Sequence, residues 1–174
     1  MTDFDGIKIC FIDVDGTLTS GEYIISDEGL VYKSFYTRDF FAIEKMMKND
    51  IKVVIITQSR DDIIYQQIDR ICAQSFFWAD CLKNKDLLIL TNIENKKEAI
   101  ENMLSKELVW DNIAYIGDAE NDLECMKLAG WTGCPTDAIL EVYNESNYPS
   151  DFYGGKGAVY DFCNHILEKR KGKK

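Results

Sequence analysis

The sequence predicts an α/β fold: a three-layer, Rossmann-like parallel sheet with helices on both faces, plus a projecting β-hairpin. Apolar runs rich in β-branched residues recur along the chain, and each is followed by a stretch of helical character, the alternation that builds a parallel sheet from βα units. One segment breaks the alternation with two short β-prone runs around a glycine. At 174 residues the chain suits one domain with a real core and is short for two, so one domain over 1–174 is expected.

The first strand is expected over 7–14, IKICFIDV. The hairpin follows over about 18–36, where Asp27-Glu28-Gly29 separates two β-prone runs and Gly29 can take the left-handed conformation that closes a turn. A helix over 39–49 places Phe40, Ile43, Met46 and Met47 along one face. Strands over 51–57 (IKVVIIT), 86–91 (DLLILT) and 112–118 (NIAYIGD) then alternate with helices over 60–73, 95–106 and 120–129, and a last helix covers 157–169. The two prolines, Pro135 and Pro149, lie in a loop-rich final third, and no internal repeat or low-complexity linker occurs.

Composition excludes several classes. A net charge of −10 gives no electrostatic footprint for nucleic acid or an anionic membrane, although the final EKRKGKK is locally basic and reads as a solvated end. No apolar run reaches the roughly 18 to 20 residues that span a bilayer, and MTDFDGIK lacks a basic-then-apolar signal pattern, so a soluble, cytoplasmic protein is expected. The six cysteines show no C-x-x-C pair or zinc-like spacing, and several sit in apolar stretches where a free thiol behaves as a small hydrophobe.

In an open α/β sheet, ligands bind outside the carboxyl ends of the strands, so the informative residues are those that end them: Asp13 and Asp15, Thr57, and Asp118. Two carboxylates at one strand end are costly unless a cation neutralises them, and hard oxygen ligands favour Mg²⁺. In IGDAEND, Asp118 ends a strand and Asp122 lies one helical turn on, so both can reach the same mouth. Thr57 supplies a hydroxyl, and Lys96 supplies an ammonium near a helix start. Facing a metal-bound aspartate, these groups make a receptacle for a phosphoryl group.

The order DVDGT, IIT, NK, GDAEND resembles the four motifs of the haloacid dehalogenase superfamily of phosphatases, and the resemblance covers nearly the whole chain. It implies that Asp13 is the nucleophile forming an aspartyl-phosphate and that Asp15 is the general acid and base. It also implies that Asp13, the backbone carbonyl of Asp15, and Asp118 hold Mg²⁺, with Asp122 as ligand or support, while Thr57 and Lys96 bind phosphoryl oxygens. Only about 20 residues of hairpin follow the first motif and about 38 separate Thr57 from Lys96, which leaves no room for a large substrate-selecting cap domain.

A hairpin after DVDGTLTSG, the segment KSFYTRD and the late GGKGAVYDFCNHIL look like the subfamily of 3-deoxy-D-manno-octulosonate 8-phosphate phosphatases. Its relatives are nine-carbon keto-deoxy sugar acid 9-phosphate phosphatases and the phosphatase-like module of some acylneuraminate cytidylyltransferases. The resemblance implies a small phosphorylated sugar acid as substrate, in lipopolysaccharide or sialic acid biosynthesis, and a homotetramer assembled through the hairpins, with a neighbour covering each active site. The sequence departs from the subfamily after IIT, with Gln58, Ser59 and Arg60, and after the KSFYTRD aspartate, with Phe40 and Phe41. Both departures bear on the sugar. Arg60 is a candidate clamp for a substrate carboxylate.

Two rival readings share some of these features. Receiver domains also combine an acidic pocket, a threonine and a lysine, but their phosphorylated aspartate sits on a middle strand, whereas DxDGT comes first here. A noncatalytic or weakly active oligomerisation module, as in the fused relatives, is opposed by an acidic cluster that a scaffold has no reason to keep. The single histidine, His165, reads as a packed or surface residue of the last helix, and YGGKGAV (153–159), without a P-loop ending, reads as a loop capping that helix near the site.

Overall fold

The computed structural model describes residues 3–171, so the basic end expected over 168–174 falls partly outside the described residues. Chain order is β1 (Ile9–Ile12), the ribbon β2 (Ile24–Ile25) and β3 (Val31–Tyr32), α1 (Thr37–Lys48), β4 (Lys52–Ile56), α2 (Ile63–Cys72), α3 (Phe76–Asn84) and β5 (Leu87–Leu90). Then come α4 (Lys96–Glu101), β6 (Ile113–Ile116), α5 (Leu123–Met126), β7 (Trp131–Cys134), α6 (Leu140–Glu145), β8 (Tyr148–Pro149) and α7 (Ala158–Lys171).

The main sheet has six parallel strands in the order β5-β4-β1-β6-β7-β8, and β2 and β3 pair antiparallel beside it. Alternate residues face opposite layers, as the strand's two-residue period requires. Cys10, Ile12, Val53, Ile55 and Ile116 pack with Ile43 and Met46 of α1, Trp78 of α3 and Phe162 of α7. Phe11, Val54, Ile56 and Tyr115 pack on the other face with Ile100 of α4, Cys125 of α5 and Val142 of α6. Every residue of β1 and β6 is buried, which explains why both read as continuous apolar runs. The fold is thus the expected α/β sandwich, with no cap domain.

Four elements escaped the sequence reading. The strand β7, WTGC, carries a glycine and a cysteine in four residues, and β8 is a two-residue edge strand ending in Pro149. The helices α3 and α6 are short, nine and six residues, and fall in stretches without a sustained apolar stripe. Expected helices also shrank. The 60–73 helix starts only at Ile63 because the Asp61 carboxylate accepts the Ile63 N–H at 3.1 Å and holds residues 60–62 in a loop. The 95–106 helix stops after Glu101, and the 120–129 helix begins with a tight turn over Glu120–Asp122.

His165 packs in an aromatic stack, 4.0 Å between ring centroids from Tyr148 and 5.7 Å from Trp131, and takes no part in the site below. All six cysteines are free thiols. No described helix is long and apolar enough to cross a membrane.

Candidate active site

The register of the sheet assembles the site. Ile12 pairs with Ile55 of β4 on one side and Ile116 of β6 on the other, so the residues that follow these three strands emerge side by side. Those residues are Asp13, Thr57 and, after Gly117, Asp118. The Asp13 N–H continues the ladder by donating to the Ile116 carbonyl at 3.0 Å. Lys96 arrives at the first position of α4, whose start is capped by the Asn95 side chain accepting the Glu98 N–H at 3.0 Å.

After Asp13 the chain turns sharply. Thr19 N–H returns to the Val14 carbonyl at 2.9 Å, and Gly16 sits at φ +92°, where a Cβ would collide with the Asp118 carboxylate. The glycine loop before α7 packs against this turn: Gly155 N–H donates to Thr17 O at 2.9 Å, and a Cβ on Gly154 would lie 1.8 Å from Gly16 O. The expected helix-capping loop is therefore also a buttress of the first motif.

At the centre Lys96 donates to Asp13 and, at 2.7 Å, to Asp122. Its side chain and that of Asp122 are fully buried. Asp122 is held from four directions: Oδ1 accepts from Lys96 and from the Tyr115 hydroxyl at 2.5 Å, and Oδ2 accepts the N–H groups of Asp118 (3.0 Å) and Ala119 (3.2 Å). Thr17 donates to Asp118 at 3.2 Å. Oxygens of Asp13, Asp118 and Asp122 lie within 4.8 Å of one another.

Electrostatics follow from that crowding. Burial pushes the Asp13 carboxyl well up, with Asp122 and Asp118 adding and Lys96 opposing. Burial and the Asp122 charge raise Asp118 to about 6. Burial works against the charge on Lys96, yet Asp13 and Asp122 outweigh it and keep the ammonium protonated. Three carboxylates around one ammonium leave an excess of negative charge, which suits a hard divalent cation. Asp13, Asp118 and Asp122 each offer an oxygen to such an ion, and Asp122 is the one of the three that already accepts four hydrogen bonds.

The Asp15 carboxylate turns elsewhere. Its oxygens lie 2.8 and 3.0 Å from Nζ of Lys33, at the end of the hairpin, and Lys33 also reaches Asp61 at 2.6 Å. Asp61 accepts a hydrogen bond from the Ser59 hydroxyl at 2.6 Å, and Ser59 N–H donates to Thr57 Oγ1 at 3.0 Å. A cavity of about 280 Å³ opens over this floor, lined by Asp13, Asp15, Thr57 and Ser59 together with Tyr23 of the hairpin and Asn121.

Of the residues singled out in the sequence, the structure brings together Asp13, Asp15, Thr57, Lys96, Asp118 and Asp122. It does not bring Arg60: its guanidinium pairs with Glu94 at 3.0 Å, with both side chains about three-quarters exposed, and it does not line the cavity. Lys33, Asp61 and Tyr115 were missed. Lys33 follows an exposed ribbon and Asp61 opens a helix-like run, both ordinary places for solvated charge, while Tyr115 reads as one more apolar strand residue.

A parallel sheet with acid-bearing strand ends, a threonine and a buried lysine is suited to phosphoryl chemistry, and comparison with known proteins narrows the class. No protein-family model matches the chain. It is 30% identical over 165 residues to the N-acylneuraminate cytidylyltransferase of Oncorhynchus mykiss, covering 95% of this chain but only 36% of that protein. It is 28% identical to the 3-deoxy-D-manno-octulosonate 8-phosphate phosphatase of Haemophilus influenzae, over 94% of this chain and 84% of that one. The Moraxella catarrhalis phosphatase of the same name, solved with a magnesium ion, a phosphate ion and a KDO molecule, superposes with a TM-score of 0.81 at 25% identity, covering 95% and 88% of the two chains. In sequence and fold the chain is thus similar, over nearly its whole length, to 3-deoxy-D-manno-octulosonate 8-phosphate phosphatases, the cap-less phosphatases of the haloacid dehalogenase superfamily that its motifs resemble, and related to a part of acylneuraminate cytidylyltransferases.

Proposed function

We propose that the protein is a Mg²⁺-dependent phosphomonoester hydrolase of a small keto-deoxy sugar acid phosphate, either the eight-carbon 8-phosphate or a nine-carbon 9-phosphate analogue. The observation that carries this reading is the buried ammonium of Lys96 drawn between Asp13 and Asp122, with Asp118 alongside, at the ends of adjacent strands. The similarity to the Haemophilus influenzae phosphatase supports the substrate class.

Asp13 Oδ attacks phosphorus as the bond to the leaving oxygen breaks, and Asp15 gives that oxygen a proton. Asp15 then takes a proton from the water that opens the aspartyl-phosphate, releasing phosphate and restoring Asp13. Thr57 and Lys96 hold the phosphoryl oxygens, and the Lys96 charge also opposes the burial that raises the Asp13 carboxyl. Asp13, the main-chain carbonyl of Asp15, and Asp118 would hold the metal, with Asp122 as the support that fixes the Asp118 loop and Lys96. When bound, Mg²⁺ supplies positive charge to the phosphoryl group and relieves the repulsion among the carboxylates.

The exposed side chains of Tyr23, Ile24, Ile25, Leu30, Val31 and Tyr32, 41 to 66% accessible, support assembly through the ribbon as a homotetramer. A neighbour over the cavity would shield the reaction in the absence of a cap.

The test is phosphate release from a panel of sugar phosphates that includes both keto-deoxy acid phosphates, with and without chelator. Turnover is expected only with Mg²⁺, absent in Asp13→Asn and reduced about 10²- to 10⁴-fold in Asp15→Asn. Activity that survives chelator or Asp13→Asn overturns the mechanism. No turnover of any sugar phosphate favours a noncatalytic module, a reading consistent with the chain spanning 36% of the cytidylyltransferase.

A further inference from the structure

We infer that Lys33 is a positioning residue through which the β-hairpin orients the Asp15 carboxyl for proton transfer. The inference rests on the phosphatase reading above and adds to it a residue on the hairpin, which stands outside the main sheet.

Lys33 closes the hairpin segment, directly after β3. The hairpin around it is exposed, yet the Lys33 side chain is only 1% accessible. Its stem passes the Tyr23 ring, with Nζ 4.8 Å from the ring centroid. A lysine on an exposed ribbon ordinarily keeps its ammonium in water, so folding it inward must be repaid by partners. Two carboxylates repay it: both oxygens of Asp15 at 2.8 and 3.0 Å, and Asp61 at 2.6 Å.

The count of charges decides the role. One ammonium already faces two carboxylates, so Lys33 has no positive charge to spare for an anionic substrate and is not its receptor. What it can do is fix geometry. Thr19 Oγ1, the other side chain within reach of Asp15, lies at 3.4 Å and also at 3.3 Å from the Val14 carbonyl, a weak and divided contact. Lys33 therefore supplies the directed contacts on the Asp15 carboxylate. Asp61 in turn anchors Lys33, and it is itself held by the Ser59 hydroxyl and the Ile63 N–H. Since Ser59 N–H meets Thr57 Oγ1, one hydrogen-bonded path runs from the phosphoryl-binding threonine through Ser59, Asp61 and Lys33 to the acid. The two ends of the reacting bond are thereby set by one network, with its lysine contributed by the hairpin.

Leaving-group dependence tests this. An alkyl sugar phosphate needs a proton on its departing oxygen, whereas p-nitrophenyl phosphate leaves as a stable phenolate. Lys33→Met keeps the apolar stem and removes the ammonium; the expected result is a loss of kcat of about 10- to 100-fold on the sugar phosphate. The expected loss on p-nitrophenyl phosphate is at most about threefold, because little general-acid assistance is required. Asp61→Asn, which loosens Lys33 without removing it, should show the same selective loss at smaller size, and Lys33→Arg should restore part of the sugar phosphate rate. Thermal melting of each variant shows whether it is folded. Equal losses on both substrates in folded Lys33→Met and Asp61→Asn, or no loss on either, overturn the positioning role. If the unaltered protein turns over neither substrate with Mg²⁺, the phosphatase reading fails and this inference with it; an unaltered protein that is active and sensitive to Asp15→Asn isolates the question to Lys33.

Discussion

Two lysines in this molecule each bridge two aspartates, and they do so on different foundations. Lys96 rises from the start of α4 into the buried centre, where Asp122 is fully enclosed and held by four donors. Lys33 comes from the hairpin, and its partners Asp15 and Asp61 remain 25 and 30% accessible. The inner bridge is fixed by the sheet and its helices, which bury their own apolar surface. The outer bridge depends on a ribbon whose strands are two residues each and whose apolar side chains face outward, an element that is marginal unless something covers it. The comparison teaches that the surroundings of Asp13 are built into the core, while those of Asp15 depend on a peripheral element.

Breaking the inner bridge should have the largest effect. Lys96→Met leaves Asp13 and Asp122 uncompensated in a buried site, and removing one partner of a buried ion pair costs about 3 to 5 kcal/mol. Activity should fall at least about 10³-fold, as for other groups that stabilise charge in the transition state. Millimolar Mg²⁺ should recover part of the lost stability in thermal melts; a variant as stable as the parent in chelator would mean that the carboxylates do not crowd as the structure shows.

Tyr115→Phe sharpens the inner half of the comparison, because it removes one of four donors on Asp122 while keeping the ring. A lost buried hydrogen bond to a charged group is worth about 1.5 to 3 kcal/mol, visible in denaturant unfolding. If unfolding midpoint and turnover are both unchanged, the four-donor enclosure is not what fixes Asp122.

The outer half is addressed by Ile25→Lys with Val31→Lys, paired residues of the ribbon. The expected outcome is dissociation to a smaller particle by light scattering. Turnover of the sugar acid phosphate should drop more than that of a small phosphate ester. An unaltered protein that is monomeric at micromolar concentration and fully active would show that the ribbon needs no neighbour.

The smallest effect concerns Asp39, in the first turn of α1, which ties the segment following the hairpin to α7. Its Oδ1 accepts the Tyr160 N–H at 2.8 Å, while Oδ2 is buried without a partner. Burial raises its carboxyl from 3.8 to about 7, against the opposing N–H groups of Tyr160 and Gly157. The folded state therefore holds this proton more tightly than the unfolded chain, and the associated stability is lost as pH rises through that window. One such group changes stability by at most about 1.4 kcal/mol per pH unit. Asp39→Asn should flatten the pH dependence of melting between about pH 4 and 7; an unchanged slope would assign it to other groups.

The sequence by itself determined four of the six strands of the main sheet, because β1 and β6 are buried along their whole length, β4 beyond its first residue, and β5 is covered in part, so all four read as apolar runs without contacts. It also made the candidate site legible: Asp13, Asp15, Thr57 and Asp118 stand where apolar runs stop, the place where open α/β sheets bind ligands, while Lys96 and Asp122 fall at a helix start and in the turn before one. Only the tertiary structure decided how those residues divide their work. Asp122 accepts four hydrogen bonds because Tyr115, Lys96 and two backbone N–H groups converge on it from separate elements. Arg60, attractive as a clamp by its place after Thr57, is drawn outward to Glu94 because Asp61 takes the inward role. Lys33, 18 residues from Asp15 in sequence, reaches it only because the hairpin folds back over the first motif. Periodicity records which face of an element is buried, but not which charge from a distant element arrives to meet it; that depends on how the chain folds back in three dimensions.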